Sequence, residues 1–184
     1  MCKPLVSVVM PVWNGAAFIG QAVDSCLAQT HGNLEVIIVD DGSTDNSRAV
    51  IESYGSSVIP TFKLNGGQAS ALNAGYNKSS GDLVIFLDAD DILWPSCVSE
   101  VIRHWRPNLI KLHFNLAIID SVGKPLGGLY LKPPLPHGDL RERLINDGTV
   151  ATSQLPEMFS HARSSTRSCQ CLKSIGNATR MLIY

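Results

Sequence analysis

Two groups of carboxylates stand directly behind apolar runs: Asp40-Asp41 after Leu34 to Val39, and Asp88 with Asp90-Asp91 after Asp82 to Leu87. Acidic side chains brought within a few Å of one another repel unless a cation or a proton intervenes. Hard oxygen donors of this kind suit Mg²⁺ or Mn²⁺ bound together with substrate phosphates. A metal–diphosphate site is therefore the chemistry that the pattern could perform. The structural alternative is that Asp-Asp-Gly-Ser is turn chemistry and that Asp88 to Asp91 caps a helix. That alternative holds well for either cluster alone and less well for two at equivalent positions. Pro11-Val12-Trp13-Asn14-Gly15 closes a third apolar run. Gly66-Gly67 with Asn73 and Gly75 suggests a phosphate loop, but no lysine follows as in a P-loop, and the dinucleotide fingerprint is absent.

The elements that must position these residues alternate in a βαβ rhythm, which points to an α/β fold with a mostly parallel sheet. Strands are expected over Leu5 to Val12, Leu34 to Val39, Val58 to Leu64 and Asp82 to Leu87. Pro60 places the third near an edge. Helices are expected over Ala16 to Gln29, Asp45 to Tyr54 (capped by Ser43, Thr44 or Asp45), Gln68 to Asn77 and Pro95 to Trp105. The third presents Ala69, Ala71, Ala74 and Gly75 as a small face for close approach to the sheet. In a parallel sheet both acidic clusters emerge at one carboxyl edge, where open α/β sheets bind ligands. Past Pro107 a long strand, Leu109 to Ile119, turns at Asp120 to Lys124 and returns at Leu126 to Leu131 as an antiparallel pair; Asp139 to Asn146 follows as a short helix. From about Ser153 no sustained period is visible.

The chain has 184 residues, 45% hydrophobic and 17% charged, which is room for one α/β core. Fifteen basic and sixteen acidic side chains leave a formal net charge of −1, so nucleic acid is not an expected partner. No apolar run approaches the roughly 20 residues of a membrane span, and residues 1–15 lack the pattern of a signal peptide. These features suggest a soluble, cytoplasmic chain. Cys2, Cys26, Cys97, Cys169 and Cys171 are odd in number and read as reduced thiols.

Pro11-Val12-Trp13-Asn14, Val39-Asp40-Asp41-Gly42-Ser43-Thr44-Asp45, Asn65 to Gly75, and Phe86-Leu87-Asp88-Ala89-Asp90-Asp91 resemble, in order, the motifs of family 2 glycosyltransferases of the GT-A fold. The resemblance implies a Rossmann-like, nucleotide-sugar-binding half joined to an acceptor-binding half. It also implies transfer of a sugar to an acceptor hydroxyl with inversion. It puts the nucleotide sugar against Pro11, Val12, Trp13, Asn14, Asp40, Asp41, Gly67, Asn73, Asp88 and Ala89, with the nucleoside near Pro11, Val12 and Asp41. Asp88 and Asp90 match the Asp-x-Asp motif. Asp90 is thereby the expected direct ligand of Mn²⁺ or Mg²⁺, and Asp88 the second metal residue, nearer the ribose. The donor expected is a UDP- or dTDP-linked sugar. The acceptor expected is a glycan or lipid-linked molecule of surface polysaccharide synthesis, met at the inner face of the membrane. Leu72 departs from the pattern, since many relatives carry arginine there, and its presence removes one charge contact to the nucleotide.

Relatives supply the catalytic base from an acidic motif in the second half, but residues 154–184 offer only Glu157 as an acid. A shifted reading frame permits Gln154 to Ala162 to read Thr-Pro-Gly-Asn-Val-Phe-Ser-Arg, and Ser168 to Lys173 to read Leu-Pro-Met-Pro-Glu; both are similar to segments of relatives. The expectation is therefore truncation or a frameshift after about residue 153. Residues 1–153 would be a nucleotide-sugar-binding domain with an incomplete acceptor half, and residues 154–184 an aberrant, poorly ordered tail. No base is assigned, and Asp139, Asp147 and Glu157 are the carboxylates that remain. Two competing readings are a nucleotide-sugar-binding remnant without turnover and a receiver-type signalling domain. The receiver would need its acidic pair after the first strand, and Lys111 at the end of a strand.

Overall fold

The computed structural model describes residues 3–106, 111–112, 117–120, 123–129 and 181–183. The chain divides into two units, residues 1–112 with 169–184, and residues 113–168. In the first unit, strands β1 (Val6–Val12), β2 (Leu34–Asp40), β3 (Ile59–Phe62), β4 (Leu83–Phe86) and β5 (Lys111–Leu112) alternate with helices α1 (Ile19–Leu27), α2 (Ser47–Ser53), α3 (Gln68–Lys78) and α4 (Cys97–His104). In the second unit, β6 (Ala117–Ile119) and β7 (Pro125–Leu129) form an antiparallel hairpin. A last strand of the first unit, β8 (Met181–Ile183), completes a six-stranded sheet of order β3-β2-β1-β4-β8-β5 in which every pairing is parallel.

Hydrophobic pattern explains the layers. β1 is buried throughout, as a central strand covered on both faces must be. α1 buries Ile19, Ala22, Val23 and Cys26, the i, i+3, i+4, i+7 stripe of a one-sided helix. Right-handed crossovers place α1 and α2 on one face and, because the chain reverses direction after β3, α3 on the other. Tyr54 joins the first two helices, its hydroxyl donating to the Gly20 carbonyl (3.0 Å) and Asp24 Oδ1 (2.9 Å). α3 covers Val9, Ile37, Val39 and Val84 with Ala71, and Leu72 and Ala74 pack at the margin of that cluster. The amino edge of the sheet is closed by Glu35, which accepts from the Ser7 hydroxyl (2.5 Å) and the Ser80 amide (2.7 Å). Burial pushes the Glu35 carboxyl up, but its Ser7, Ser80 and Gly81 donors outweigh that and hold it below the usual range.

Four differences from the sequence reading have local causes. α2 starts at Ser47, two residues later than expected, because Asp45, one of the expected caps, accepts the Ser47 amide on its Oδ1 (3.0 Å) and leaves Asn46 at the helix boundary. α1 and α4 are shorter than their amphipathic patterns because Ala16 to Phe18 and Pro95-Ser96 form turns. The expected strand over Leu109 to Ile119 is two strands, since Lys111–Leu112 pairs in parallel with β8 whereas Ala117–Ile119 pairs antiparallel with β7. The apolar triplet Met181–Ile183 pairs with Leu83 to Ile85 of β4, so this part of the expected irregular tail is a strand. The expected helix over Asp139 to Asn146 lies outside the described residues. Among the described residues no helix is long and apolar enough to cross a membrane.

α3 lies close to the sheet because of Gly75. A Cβ at this position would overlap the Val9 Cγ1 methyl and sit 3.1 Å from Val39 Cγ2. Both are β-branched side chains on paired strands, with little freedom to yield. Gly75→Val is expected to lower stability by about 2 kcal/mol or more through overpacking. Ala69→Val, on the exposed side of the same helix, should cost only about 0.5 kcal/mol in helix propensity. Urea unfolding midpoints of the two variants check the difference.

Candidate functional site

Strand order reverses between β1 and β4, and in open parallel sheets the crevice beyond the strand ends at such a point is where ligands bind. β1 runs on to Val12 beside Asp40 of β2, but its pairing with β4 stops at Val9 opposite Phe86. The Val9 carbonyl accepts from Leu87 on the β4 side, and the Val12 carbonyl from Asp41 on the β2 side. By strand alternation Pro11 therefore turns its missing N–H toward β4, where β4 has already ended. A proline is tolerated in this central strand because no partner is present at that position.

The loops after β1 and β2 are fastened to each other. Asn14 adopts a left-handed conformation (φ 54°). Its Oδ1 accepts from the Thr44 amide (2.8 Å), the Thr44 hydroxyl (3.2 Å) and the Asp45 amide (3.3 Å), while its own amide donates to Ser43 Oγ (2.9 Å). Gly15 and Ala16 donate to Ser47 Oγ and Asp45 Oδ2, each at 3.0 Å. The Ser47 hydroxyl and the Ala16 amide hold the Asp45 carboxyl below its usual range. Asp40 closes its own turn by accepting the Ser43 amide (2.9 Å). A Cβ on Gly15 would meet Val12 and approach Ala89, so the β1 loop also lies close to the β4 loop. Trp13, at the centre of this arrangement, leaves 60% of its surface exposed.

Asp41 is buried and clamps the turn before α3. Its carboxylate accepts the Gly66 amide (3.0 and 3.1 Å to the two oxygens) and the Gly67 amide (2.7 Å), and forms an ion pair with Lys63. Lys63 also donates to the Leu64 carbonyl (2.6 Å). Gly67 sits at φ 83°, a conformation that glycine adopts without strain, and leads into the first residue of α3. Gln68 there reaches across to the other acidic cluster, its Nε2 donating to Asp88 Oδ1 (3.0 Å).

The cluster after β4 carries no such neutralisation. Among the described residues Asp88, Asp90 and Asp91 form no salt bridge; the pairs present are Arg48–Glu52, Lys63–Asp41 and Arg103–Glu100. The side chain of Asp88 is exposed, yet surrounding protein raises its carboxyl, and the Asp90 charge raises it further against the opposing Gln68 bond. Asp91, half-buried, is pushed up to about 6 by burial and by the Asp88 and Asp90 charges. Mutual repulsion is thus written into the electrostatics of this turn. No three His, Cys, Asp or Glu side chains among the described residues form a metal-binding group. Two open carboxylates suit a Mg²⁺ or Mn²⁺ ion that takes its remaining oxygens from substrate phosphates and water.

Of the residues singled out in the sequence, the structure brings Pro11, Val12, Trp13, Asn14, Asp40, Asp41, Gly67, Asp88, Ala89 and Asp90 to the carboxyl edge. Asn73 is exposed on α3, about 7 Å further along the helix axis than Gln68. Leu72 packs at the margin of the Val9 cluster. The base candidates Asp139, Asp147 and Glu157 lie outside the described residues. Sequence reasoning missed Lys63, Gln68 and Ser47 as residues that shape the site. Lys63 fell inside the strand expected over Val58 to Leu64, and all three are recognised only by contacts 20 or more positions away.

An open parallel sheet with unneutralised carboxylates beside its switch point defines an α/β protein of the doubly wound kind, the class that binds ligands at the carboxyl edge. Within that class, the model of glycosyl transferase family 2 matches residues 7–112, and the chain belongs to that family. An uncharacterized glycosyltransferase of Nostoc sp. is 36% identical over 150 residues, covering 79% of this chain and 47% of that protein. Among solved structures, S. aureus TarS 1–349 aligns with a TM-score of 0.51 and 26% identity over 54% of this chain and 31% of its own. A mannosyltransferase of Pyrobaculum calidifontis, in complex with GDP-Man and Mn²⁺, aligns with a TM-score of 0.51 and 27% identity over 59% of this chain and 34% of its own. The chain thus spans about half or less of the length of these proteins. The expected GT-A fold and glycosyltransferase family hold, and the receiver-type reading falls: the acidic pair follows β2, and Lys111 begins β5.

Because Asp91 in the folded chain protonates near pH 6 against an ordinary value of 3.8, the folded chain binds more protons than the unfolded one between those values. Stability contributed by this group is therefore present at low pH and falls as pH rises through about 6. In metal-free buffer Asp91→Asn is expected to be more stable than the unaltered chain at pH 7.5, with the difference closing toward pH 4. Thermal unfolding at a series of pH values checks it.

Proposed function

We propose that the carboxyl edge of β1, β2 and β4 is the donor site of an inverting, metal-assisted glycosyltransferase that uses a nucleoside-diphosphate sugar, UDP- or dTDP-linked. The single observation that carries this reading is the division of charge between the two acidic clusters. Asp41 has its lysine, whereas Asp88, Asp90 and Asp91 repel one another with no cationic side chain paired to them among the described residues. Asp90 and Asp88 would hold a divalent ion, with Asp90 the direct ligand. Such an ion, when bound, stabilises the charge that develops on the departing nucleoside diphosphate. The Pyrobaculum mannosyltransferase, in complex with GDP-Man and Mn²⁺, supports a nucleotide-sugar donor and a divalent ion.

The chain's own residues supply orientation. The fastened β1 and β2 loops hold Pro11, Val12, Trp13 and Asn14 at the carboxyl edge, where the nucleoside would lie next to Asp41. Ala89 and Gly67 line the approach with little side-chain bulk. In a single displacement an acceptor-side carboxylate takes the proton of the attacking hydroxyl; Asp139, Asp147 and Glu157 are this chain's candidates. A glycan or lipid-linked acceptor of surface polysaccharide synthesis, met at the cytoplasmic face of a membrane, is the setting that fits the family. A second reading keeps the donor site without turnover.

Calorimetric titration with UDP and GDP, with and without Mn²⁺, tests the donor site. Mn²⁺-dependent binding is expected for the unaltered chain and is expected to disappear in Asp90→Ala, whose circular dichroism should be unchanged because Asp90 is exposed. A variant that binds with undiminished Mn²⁺ dependence would overturn the assignment. Incubation with a panel of nucleotide sugars then separates the two readings by release of nucleoside diphosphate.

A further inference from the structure

We propose that Gln68 is a positioning residue for the Asp88 carboxylate, and that its own place is set by the Lys63–Asp41 clamp on the Gly66-Gly67 turn. The inference rests on the donor-site reading above and concerns how the chain holds that site in shape. Asp88 follows a strand whose pairing with β1 has already ended. Beside Asp90 and Asp91, its carboxylate would swing away from like charge unless something held it. The one side chain that donates to it among the described residues is Gln68, through Nε2 at 3.0 Å.

Gln68 can do this only from a fixed starting point, because its side chain is exposed and a free glutamine spreads over many rotamers. The fixed point is the turn before it. Asp41 takes the amides of Gly66 and Gly67, the two residues immediately preceding Gln68, at 3.0 and 2.7 Å. Lys63 in turn neutralises Asp41, which is 3% exposed and would otherwise be a buried lone charge. A Cβ on Gly66 would press on Ser70 Oγ at 2.7 Å and Lys63 Nζ at 2.9 Å, so a side chain there would displace the lysine from its place. The contacts therefore run without interruption from Lys63 through Asp41, the glycine turn and Gln68 to Asp88. They join the acid at the end of β2 to the acids at the end of β4, which are not neighbouring strands.

The chemistry at stake is carboxylate geometry. A group that donates to a ligating carboxylate fixes which oxygen faces the ion, and loss of such an outer partner costs about tenfold or more in metal affinity. Gln68→Met keeps the volume and helix propensity of the side chain and removes the donor, so a role in packing alone would leave it silent. Full-length chain is titrated with UDP, or with GDP if that is the nucleotide the unaltered chain binds, in the presence and absence of Mn²⁺. Gln68→Met is expected to weaken Mn²⁺-dependent binding roughly tenfold while leaving metal-free nucleotide affinity unchanged. Lys63→Met should weaken it in the same direction, and should add nothing further in the Gln68→Met background because it acts through Gln68. Unchanged Mn²⁺-dependent affinity in Gln68→Met, with the unaltered chain binding normally, overturns the positioning role and leaves the donor site standing. Full additivity of the two substitutions overturns the relay through the glycine turn. Failure of the unaltered chain to bind either nucleotide overturns the donor-site reading and this inference with it.

Discussion

Parallel pairing of β1 with β2 on one side and β4 on the other is the constraint on which the site depends. Strands that all run one way must deliver their following loops to one edge, and here those loops carry Trp13-Asn14, Asp41 and Asp88 to Asp91. The reversal of strand order at β1 and β4 then puts the loops after these two strands side by side just past the point where their pairing ends. A sheet of the same residues with β4 antiparallel would send Asp88 to the opposite edge, where Glu35, Ser7 and Ser80 already satisfy one another.

Charge is divided within this edge in a way that separates scaffolding from chemistry. Asn14, Asp40, Asp41 and Asp45 spend their oxygens on backbone amides and on Lys63, so their contribution is the shape of the loops. Among the described residues Asp88, Asp90 and Asp91 have one side-chain donor, Gln68, and burial together with the repulsion that remains raises Asp88 and Asp91. An arrangement that disfavours its own ionised state is stabilised by a cation. The mixture of saturated and unsaturated acids is therefore more informative about binding than the number of acids.

Much of this was legible in the sequence because it rests on period and order. Apolar runs fixed β1 to β4 within one or two residues, Pro60 marked the edge strand, and the small residues of α3 foretold its close approach at Gly75. The convergence of the acidic clusters followed from parallel strands alone, and the four ordered motifs carried the family. What stayed hidden depends on contacts between distant positions. Nothing local about Lys63 says that it neutralises Asp41, and nothing about Gln68 says that it reaches Asp88, twenty positions on. The run from Leu109 to Ile119 misled because a continuous β-rich pattern does not say that its two ends pair with different partners. Met181–Ile183 escaped notice because three apolar residues are too few to show a period.

The account centres on a divalent ion and nucleotide meeting at the end of β4. Paramagnetic broadening of backbone amide resonances by substoichiometric Mn²⁺, in the presence of UDP or GDP, reports where the ion sits without requiring turnover. The amides of Asp88 to Asp91 should broaden first, those of Gly67 and Gln68 next, and those of Asn33 and Gly81 at the opposite edge should be unaffected. Broadening centred on any other part of the chain, or none that depends on the nucleotide, would contradict it.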